Sequence, residues 1–561
     1  MALQPNSMDA TIENKIRRIA LANAIEYDGK ANAHSILGRL LATEPSLRSK
    51  VTELHASIDE IADNVNLMEP DAQRAELEKL GGFEKPKREE KEGLPPLAKS
   101  EEGVVVRFAP NPDGAMTLGN ARPAILSHAY AKMYKGKFIL RFEDTDPKIK
   151  VPEKRFYGWV REDLKWLGIK WNQEIVQSKR LKIYYDYAEQ LIEKGGAYVC
   201  TCPPVAWREL VKKNWPCSCR DLSLETQLER WQAMLKHKFK EGQAVVRIKT
   251  DLAHPNPAVR DWPALRIVDK PKHPFNKKAC VWPLYNWSAG LDDHLLGVTH
   301  VLRGQEHATN ETKQRFVYNY FGWEYPAVII LGRFSLPGLM LSKSLTREGI
   351  EKGEYTGWDD PKLGTIRTFR RRGWQPEALC NLVVEVGPTS SDSTVAIENL
   401  AAHNRKIVDK TASRYFFIAE PMKIKITKPP VKQAKLKLHP NKPKGWRMLK
   451  AGNELLIEQQ DMKWYRNKEV RLIGLYNIML RDGKQCEVTG IELKPGQKIH
   501  WLPTKGTIKV KAVMPDKTIN GVGEKNLLKA KVGEVVQFER FGFVRIEKKT
   551  KSGIIAVFGH K

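Results

Sequence analysis

The spacing of apolar residues divides this 561-residue chain into segments of different kinds. Between residues 10 and 80, apolar side chains recur every three or four positions, as they do along the buried face of an amphipathic helix. This spacing predicts a small helical bundle. A charged run over residues 85–92 and the pair Pro95-Pro96 follow, and their composition is typical of a linker.

The middle of the chain, from about residue 100 to 350, mixes two patterns. Short apolar runs at 104–106, 137–142 and 328–331 are typical of buried strands, and segments with helical spacing lie between them. Alternation of this kind predicts an α/β fold.

The last part of the chain begins with helical spacing over residues 351–420. From residue 421 onward, apolar and polar residues alternate in runs such as 422–426, 469–475 and 507–513. Such alternation predicts strands with one buried face, and we expect antiparallel β-barrels.

The charge is distributed unevenly along the chain, whose net charge is +28. Residues 1–100 carry 14 Lys and Arg against 17 Asp and Glu, whereas residues 421–561 carry 31 against 12. A basic C-terminal part that is rich in strands favours contact with RNA, the alternative being a solvated basic surface. No run of 18 apolar residues occurs and no signal-peptide pattern is present, so we expect a cytoplasmic protein with no membrane partner.

Two short segments carry candidate chemistry for phosphates. Residues 107–120 follow an apolar strand, contain Pro and Gly, and lead into a helical pattern. A strand, a glycine turn and a helix N-terminus together form a site for anions. In the second segment, residues 339–344, Lys343 lies between Ser342 and Ser344, where its ammonium group could stabilise charge developing on a polyphosphate.

These two segments resemble the signature motifs HIGH and KMSKS of the class I aminoacyl-tRNA synthetases. Residues 140–146 and 291–304 extend the similarity, which covers about residues 100–561 and is greatest to the archaeal-type glutamyl-tRNA synthetases of the glutamyl/glutaminyl subgroup. The resemblance implies a multi-domain α/β + α + β fold: a Rossmann-type catalytic domain, a helical N-terminal extension and C-terminal antiparallel β-barrels. The expected domains are residues 1–95 with the linker, 100–350 with an insertion at about 197–290, a helical connecting domain at 351–420, and anticodon-binding barrels at 421–561.

The resemblance also implies an activity. Members of this subgroup use ATP and Mg²⁺ to join L-glutamate to the terminal ribose of tRNA(Glu) through glutamyl-adenylate, and they generally need bound tRNA before they activate glutamate. Two alternatives stay open, a glutaminyl-tRNA synthetase and a non-catalytic RNA-binding paralogue. The sequence also leaves open whether tRNA(Gln) is a second substrate.

The HIGH positions are occupied by Thr117, Leu118, Gly119 and Asn120, so both histidines are replaced. Asn120 can donate to a phosphate oxygen but supplies no positive charge, and we therefore expect Lys343 to carry more of the transition-state stabilisation. Thr117, Asn120 and Lys343 are the expected catalytic residues. The resemblance assigns these residues to ATP binding: Pro110, Gly114, Thr117, Leu118, Gly119, Asn120, Ser342, Lys343 and Ser344.

The residues expected to bind glutamate are Arg107, Ala109, Glu143, Tyr285 and Arg303. Glu143 follows an apolar strand, and its carboxylate suits an α-ammonium group. An arginine at 303 would pair with the γ-carboxylate, whereas a carboxamide would leave it as an unpaired buried charge. The alternatives are a surface salt bridge for Arg107 and simple packing for Tyr285.

Other polar residues in these segments have less definite roles. Asp293 and His294 are interpreted as organisers of the pocket and of contacts to the RNA end, in preference to metal binding. Gln305, Glu306 and His307 are assigned to the ATP site. Asp144 and Asp146 could be a metal pair, but the Thr145-Asp146-Pro147 sequence favours a turn or helix cap.

Four cysteines, Cys200, Cys202, Cys217 and Cys219, form two Cys-x-Cys pairs. Four thiolates in two close pairs can bind Zn²⁺ in a tetrahedral site. We favour a structural zinc site over the alternative of four reduced, uncoordinated cysteines.

Aromatic and basic residues alternate at Trp446-Arg447 and over residues 464–468. They are typical either of surfaces that stack unpaired anticodon bases or of a barrel core. Residues 370–372, three consecutive arginines, could contact an RNA stem or form a solvated helix face. We expect a monomer in which the acidic N-terminal domain could dock another translation protein.

Overall fold

The computed structural model describes residues 10–26, 29–44, 47, 51–82, 93–481 and 485–561. The linker predicted over residues 85–92 lies outside the described residues. The chain divides into two compact units, Met1–Glu92 and Gly93–Lys561. None of the helices in the described ranges is long and apolar enough to cross a membrane.

The first unit is a helical bundle, as the spacing predicts. Its described helices are α1 Ala10–Glu26, α2 Ala33–Thr43, α3 Val51–Asn66 and α4 Pro70–Lys79. Ile16 and Ile19 of α1 pack with Ile36 of α2 in the buried core. The buried amide of Gln73 donates to the carbonyls of Gly29 (3.0 Å) and Val65 (2.9 Å), so it joins α4 to two other parts of the bundle.

The second unit contains both helices and strands. The helices of its described residues are α5 Leu118–Met133, α6 Lys154–Trp166, α7 Leu181–Glu193, α8 Pro204–Lys212, α9 Leu224–Leu235, α10 Tyr285–Leu295, α11 Ala308–Phe321, α12 Lys343–Glu351, α13 Ile366–Arg371, α14 Pro376–Val386, α15 Ile397–Val408 and α16 Gln459–Trp464.

The strands of the second unit that precede α15 are β1 Val105–Phe108, β2 Lys137–Phe142, β3 Gln173–Val176, β4 Ala197–Cys200, β5 Val245–Ile248, β6 Pro263–Ile267, β7 Val281–Pro283, β8 His300–Gly304, β9 Ala327–Leu331, β10 Phe334–Ser335 and β11 Ser393–Thr394.

The strands that follow are β12 Ser413–Tyr415, β13 Phe417–Ile418, β14 Pro421–Thr427, β15 Gln433–Lys437, β16 Trp446–Lys450, β17 Glu454–Glu458, β18 Glu469–Leu472, β19 Asn477–Met479, β20 Gln485–Gly490, β21 Lys498–Ile499, β22 Leu502–Pro503, β23 Thr507–Val513, β24 Thr518–Glu524, β25 Val535–Phe538, β26 Gly542–Lys549 and β27 Gly553–His560.

The central sheet is fully parallel, with the strand order β3-β2-β1-β8-β9. The chain leaves β1 toward β2 on one side, and β8 pairs with β1 on the other side. The strand order therefore reverses between β1 and β8, and ligands of open parallel sheets bind beyond the carboxyl ends of the strands at such a point. The Rossmann-type arrangement that the sequence predicts is confirmed.

The segment between β3 and β8 forms a separate layer. Strands β4 to β7 make an antiparallel sheet in chain order, and α7 and α9 pack on it around the buried Trp231 and Trp282. Helix α10 follows β7 directly and returns the chain to β8, so the two layers share this helix.

The C-terminal strands form two seven-stranded sheets, β12-β25-β26-β27-β23-β24-β13 and β21-β18-β19-β20-β14-β17-β22. The two edge strands of each sheet are close in sequence, β12 with β13 and β21 with β22, so each sheet curls into a barrel. Antiparallel pairs dominate, and four pairs are parallel: β12·β25, β14·β20, β18·β21 and β23·β27. Strands β12 and β13 lie within the range 351–420 for which the spacing favours helices, and they follow α15.

A buried histidine joins the two barrels. His500 is fully buried, its Nε2 donates to the carbonyl of Phe417 (2.6 Å), and its Nδ1 accepts from Nη1 of Arg540 (3.1 Å). Arg540 also makes two hydrogen bonds to the carboxylate of Asp461, at 2.5 and 2.6 Å. Burial, together with the charge of Arg540, lowers the pKa of His500 to about 4. A proton on Nδ1 would remove one hydrogen bond and place two cations side by side.

We predict that acid destabilises this junction through His500. Because the pKa is lower in the folded than in the unfolded chain, the neutral imidazole stabilises the fold above pH 6.5, and this contribution is lost as the pH falls toward 4. The loss amounts to about 3 kcal/mol. His500→Gln keeps one donor and one acceptor but no titration. Its local unfolding free energy, from hydrogen exchange of amides in β17 and β18, should therefore fall less between pH 6.5 and 4 than that of the wild type.

The control for this prediction is His403→Gln, since His403 is half-buried and pairs with Glu385 at 2.8 Å. His403 lies on α15, away from this junction, so in that variant the amides of β17 and β18 should keep the wild-type dependence on pH. Equal slopes for the wild type and His500→Gln would contradict the prediction.

Candidate active site

A cavity of about 450 Å³ opens beyond the carboxyl ends of β1 and β8. Most of the residues singled out in the sequence line it. They are Arg107, Ala109, Pro110, Gly114, Thr117, Gly119, Asn120, Glu143, Tyr285, Arg303, Glu306, His307 and Lys343. Residues that lie up to 236 positions apart in the chain are thus brought to one cleft, at the position where the strand order reverses.

The turn after β1 leads into the N-terminus of α5. Thr117 is the N-cap: its Oγ1 accepts from the backbone N–H of Asn120 (3.3 Å) and donates to Oδ1 of Asn120 (3.0 Å). Leu118 behaves differently from its neighbours, because its side chain is fully buried in the core and its N–H donates to the carbonyl of Gly364 (3.0 Å). Thr117, Gly119 and Asn120 are the residues at this helix terminus that line the cavity.

Lys343 is the first residue of α12 and lies across the cleft from this turn. Lys343 Nζ contacts Oδ1 of Asp113 at 2.6 Å and the carbonyl of Asn111 at 3.2 Å. Ser342 caps α12, and its Oγ lies 3.2 Å from Oγ of Ser344, so these serines order the start of α12 and do not line the cavity. The lysine is held at the rim by a carboxylate from the turn after β1.

Gly114 makes this approach possible. A Cβ at this position would lie 2.7 Å from Cη2 of Trp358 and 3.3 Å from Cδ of Lys343. A side chain at 114 would therefore collide with the indole ring and crowd the lysine. Glycine is therefore required at this position for space.

Four buried or nearly buried charged groups form a chain across the floor of the cleft. Oδ1 of Asp293 on α10 accepts from Nε of Arg107 (3.1 Å) and from Nη1 of Arg141 (2.7 Å). Nη2 of Arg141 donates to Oε1 of Glu143 (2.9 Å). Cations and anions alternate along the chain, which pairs every charge that β1, β2 and α10 place there.

The pairing sets the pKa values of the two acids. Burial acts to raise the pKa of Asp293, but the positive charges of Arg107 and Arg141 outweigh it and the pKa falls below its ordinary value. Burial raises the pKa of Glu143, and Arg141 and Arg107 oppose that rise. Of the two, Glu143 keeps 13% of its side chain exposed, so it is the carboxylate that faces the cavity.

Arg303, on β8, has a different environment. Its Nη1 donates to Oε1 of Gln314 (3.3 Å) and its Nη2 to the hydroxyl of Tyr325 (2.7 Å), while Nε is buried without a partner. Within the described part of the chain, no carboxylate forms a salt bridge with it. Arg303 is therefore a buried cation, 4% exposed, in contact with neutral acceptors alone.

Several residues of the same motifs lie outside the cavity. Asp292 is buried against Arg180 (2.9 Å) and Tyr184 (2.7 Å), and the ring of His294 stacks on Trp323 at 3.8 Å. Gln305 is exposed and donates to Asp392 (2.9 Å). Of the predicted organisers, the structure places Asp293 in the cleft and His294 outside it.

Asp144 and Asp146 have structural roles, as the Thr-Asp-Pro sequence predicts. The carboxylate of Asp144 accepts from the hydroxyl of Tyr157 (2.6 Å) and from the N–H of Ser178 (2.8 Å). Asp146 accepts from the N–H groups of residues 148, 149 and 150 at 3.0 to 3.2 Å, and it pairs with Arg266 (2.9 Å). It caps the turn that the Thr-Asp-Pro sequence predicts.

The four cysteines of the insertion lie together. All four Sγ atoms are within 4.8 Å of one another. The Sγ atoms of Cys200 and Cys217 are 3.8 Å apart, as are those of Cys202 and Cys219. A tetrahedron of sulfur atoms around zinc with bonds of about 2.3 Å has edges of about 3.8 Å. The donor set and its spacing fit a zinc ion.

The aromatic and basic residues of the barrels divide into two groups. Trp446 and Trp464 are exposed by 51% and 59%, and Lys435 lies 4.9 Å from the Trp446 ring. Arg447 is instead buried and paired with Glu524 (3.1 Å) and Glu539 (2.7 Å). Trp446 and Arg447 are adjacent on β16, yet the first is exposed and the second is buried.

The three consecutive arginines also separate. Arg372 is buried and donates to the carbonyls of Phe558 (3.0 Å) and Gly559 (2.7 Å), which ties α13 to β27. Arg371 pairs with Glu547 of β26 at 2.6 Å, whereas Arg370 is exposed. Neither of the two alternatives for this run, RNA contact or a solvated face, describes Arg372.

Sequence reasoning missed Asp113, Arg141, Gln314 and Tyr325. Arg141 had a signal, since a charged residue within an otherwise apolar strand needs a buried partner. Gln314 and Tyr325 had none, because a glutamine on a helix and a tyrosine in a loop are ordinary at any surface.

Known proteins match nearly the whole length of this chain. The family described as "tRNA synthetases class I (E and Q), catalytic domain" matches residues 103–410, and two families described as the anti-codon binding domain of the same enzymes match residues 412–496 and 498–547. The glutamate–tRNA ligases of Pyrococcus furiosus and Pyrococcus abyssi are 50% and 52% identical to it, and that of Methanocaldococcus jannaschii is 42% identical. Each alignment covers 98% of this chain and 100% of the relative.

We predict that Asp293→Asn destabilises the second unit by about 3–5 kcal/mol, because two buried guanidinium groups would lose their shared carboxylate. Urea unfolding of the full-length chain measures the loss. Asp186→Asn is the matched control, since Asp186 pairs with Lys182 (2.9 Å) at an exposed position, and it should cost less than about 1 kcal/mol. Similar losses for the two variants would show that the buried pairing is unimportant.

Proposed function

This chain belongs to the class I tRNA synthetases for E and Q, and on that premise we propose that it ligates L-glutamate to tRNA(Glu) with ATP. The observation that supports glutamate most directly is the buried guanidinium of Arg303, which has no carboxylate partner among the described residues. A buried cation of this kind favours an anionic ligand over a neutral one. The names of the relatives, which are glutamate–tRNA ligases at 42–52% identity over their full length, support the same substrate.

The cleft offers complementary charges for each group of glutamate. We assign the γ-carboxylate to Arg303, with Tyr285 beside it, and the α-ammonium group to Glu143. Arg107 uses Nε and Nη1 for Asp293 and the carbonyl of Leu302 (3.3 Å), so its Nη2 is the part that we assign to the substrate. Ala109, small and at the end of β1, would leave room for the bound amino acid.

The remaining part of the cleft suits Mg·ATP. We assign the phosphates to the N-terminus of α5, with Pro110 and Gly114 in the preceding turn and Gly119 and Asn120 at the helix end. Lys343 would exchange its contact with Asp113 for the phosphate oxygens, since a polyphosphate carries more negative charge than one carboxylate. Its ammonium group would then lie where charge develops in the transition state.

Two transfers complete the proposed reaction. An oxygen of the glutamate α-carboxylate attacks the α-phosphorus of ATP, the bond to the β-phosphate breaks, and pyrophosphate leaves with its electron pair. The 2′-hydroxyl of the terminal ribose of tRNA then attacks the carbonyl carbon of glutamyl-adenylate, loses its proton, and AMP leaves. Positioning and electrostatic stabilisation supply the catalysis, with no covalent enzyme intermediate.

We extend the proposal to the rest of the molecule. The basic barrels over residues 421–561, with Trp446 and Trp464 exposed, would hold the anticodon end of the tRNA, and the segment at 197–290 its acceptor end. The predicted domain boundaries belong to this proposal. So do a monomeric state, a place in the cytoplasm, and docking of another translation protein by the N-terminal unit.

The proposal is tested by charging purified tRNA(Glu) and tRNA(Gln) transcripts with labelled glutamate, and with glutamine as a second substrate. We expect glutamate to be transferred to tRNA(Glu), and Lys343→Ala to lower the rate of transfer by roughly 100-fold or more. Transfer of glutamate to tRNA(Gln) as well would identify a second tRNA substrate. Transfer of glutamine alone would favour a glutaminyl-tRNA synthetase, and no transfer would favour a non-catalytic paralogue.

We also propose that Cys200, Cys202, Cys217 and Cys219 bind a structural zinc ion. The supporting observations are the sulfur spacing and the donors around Cys219, whose Sγ accepts from Nη1 of Arg230 (3.2 Å) and the N–H of Thr201 (3.5 Å). Such donors stabilise a thiolate. The local apolar cluster is small, with Tyr198, Cys200, Cys217 and Cys219 as its buried members, so a metal would supply much of the local stability.

We predict about one zinc ion per chain in protein purified without added metal, measured by mass spectrometry of the metal content. Cys202→Ser should lose the zinc and lower the thermal stability of the insertion, because three sulfur ligands bind zinc less tightly than four. Cys280→Ser, at a cysteine outside the cluster, should keep it. Zinc-free protein with four reduced thiols and unchanged stability would contradict the proposal.

A further inference from the structure

Arg303 is held by two uncharged side chains that also bind each other. Its Nη2 donates to the hydroxyl of Tyr325 (2.7 Å), and its Nη1 donates to Oε1 of Gln314 (3.3 Å). The Tyr325 hydroxyl donates in turn to the same Oε1 (2.6 Å). The three side chains therefore close a triangle of hydrogen bonds in which the guanidinium carries the sole charge.

Helix α10 fixes the orientation of the Gln314 amide. Gln314 is 1% exposed, and its Nε2 donates to the carbonyl of Asn286 (3.4 Å). A Cβ at Gly290 would lie 3.2 Å from Cγ of Gln314, so the glutamine packs directly against the backbone of this helix. Because a guanidinium can only donate, the amide oxygen has to face Arg303. The amide is thus held by its nitrogen on one side and by Arg303 and Tyr325 on the other.

These anchors orient the guanidinium without neutralising it. Of its five N–H groups, two are used by Gln314 and Tyr325, and Nε is buried with no partner in the part of the chain that the structure describes. Arg107 and Arg141, in the same cleft, are instead paired with Asp293. A glutamate at 314 would be almost the same size as the glutamine, but it would give Arg303 a permanent carboxylate partner.

We propose that Gln314 and Tyr325 are positioning residues that set the preference for glutamate over glutamine by holding Arg303 in place with its charge uncompensated. The inference rests on the proposed function, since it takes the γ-carboxylate of glutamate as the ligand of Arg303. It assigns part of the substrate specificity to α11 and to the loop before β9, outside the sequence motifs.

The test is ATP–pyrophosphate exchange by the full-length chain in the presence of tRNA, with glutamate and with glutamine. For Gln314→Glu we expect the KM for glutamate to rise about 30-fold or more, with kcat within a few-fold of wild type, because the ligand must compete with a buried carboxylate. The ratio of kcat/KM for glutamate over glutamine should fall by a similar factor. Tyr325→Phe removes one anchor and should raise the same KM by about fivefold.

A matched control introduces the same charge on the same helix. Asn319 is exposed on α11, so Asn319→Asp should leave both KM and selectivity unchanged. Thermal unfolding of all variants reports whether they are folded.

A double-mutant cycle separates action through Arg303 from a general structural effect. If Gln314 acts through the guanidinium, Gln314→Glu should change the KM for glutamate little in an Arg303→Ala background. The inference alone is overturned if wild type is active and both Gln314→Glu and Tyr325→Phe keep its selectivity, or if Gln314→Glu has the same effect with and without Arg303. A wild-type chain that cannot activate glutamate would overturn the proposed function, and this inference with it.

Discussion

The organisation of the cleft depends on one buried carboxylate, that of Asp293, shared by Arg107 and Arg141. The two arginines come from neighbouring parallel strands, and an unpaired guanidinium at either position would cost several kcal/mol. Asp293 lies on α10, the helix that also begins with Tyr285 and connects the insertion layer to β8. The ion pairs therefore determine where this helix lies against the sheet, and with it the position of most groups in the cleft.

Charge balance divides the cations of the cleft into two kinds. Arg107, Arg141 and Lys343 each contact a carboxylate, so they are neutralised before any ligand binds. Arg303 donates hydrogen bonds to an amide and a hydroxyl, and no carboxylate of the described ranges pairs with it. A neutralised cation can be held at a chosen place at little cost, and Lys343 can later exchange its partner. A buried cation without a counter-charge costs free energy. An anionic substrate that pairs with it recovers this free energy and is therefore favoured over a neutral one.

Buried polar contacts also connect the parts of the second unit that lie away from the cleft. Arg372 joins α13 to the last strand through two carbonyls, and His500 joins the two barrels through a carbonyl and a guanidinium. Both side chains are buried, and both find their hydrogen-bond partners in segments distant in sequence. The basic charge of the barrels is therefore partly structural: Arg447 and Arg540 are paired with acids, whereas Lys435 and other exposed cations remain for a polyanion.

Much of this protein could be predicted from local sequence. Strand β2 has the predicted bounds, 137–142, because an apolar run records burial on both faces of a strand. The turn after β1 and the cap at Asp146 were predictable because the residues that form each of them lie within a few consecutive positions. The sequence placed Lys343 on a loop, whereas it is the first residue of α12. The same motifs predicted that the chain belongs to the class I tRNA synthetases.

Only the tertiary structure decided which residues pair when they are distant in sequence or chemically similar. Asp293 and His294 are neighbours in sequence, yet one binds two arginines in the cleft and the other stacks on Trp323. Arg107 and Asp293 are 186 residues apart, and no local pattern records such a contact. Gln314 and Tyr325, which hold Arg303, could not be predicted because no local pattern records their contact with it. The periodicity of a sequence shows which side chains are buried, but only the folded chain shows which group each buried charged side chain contacts.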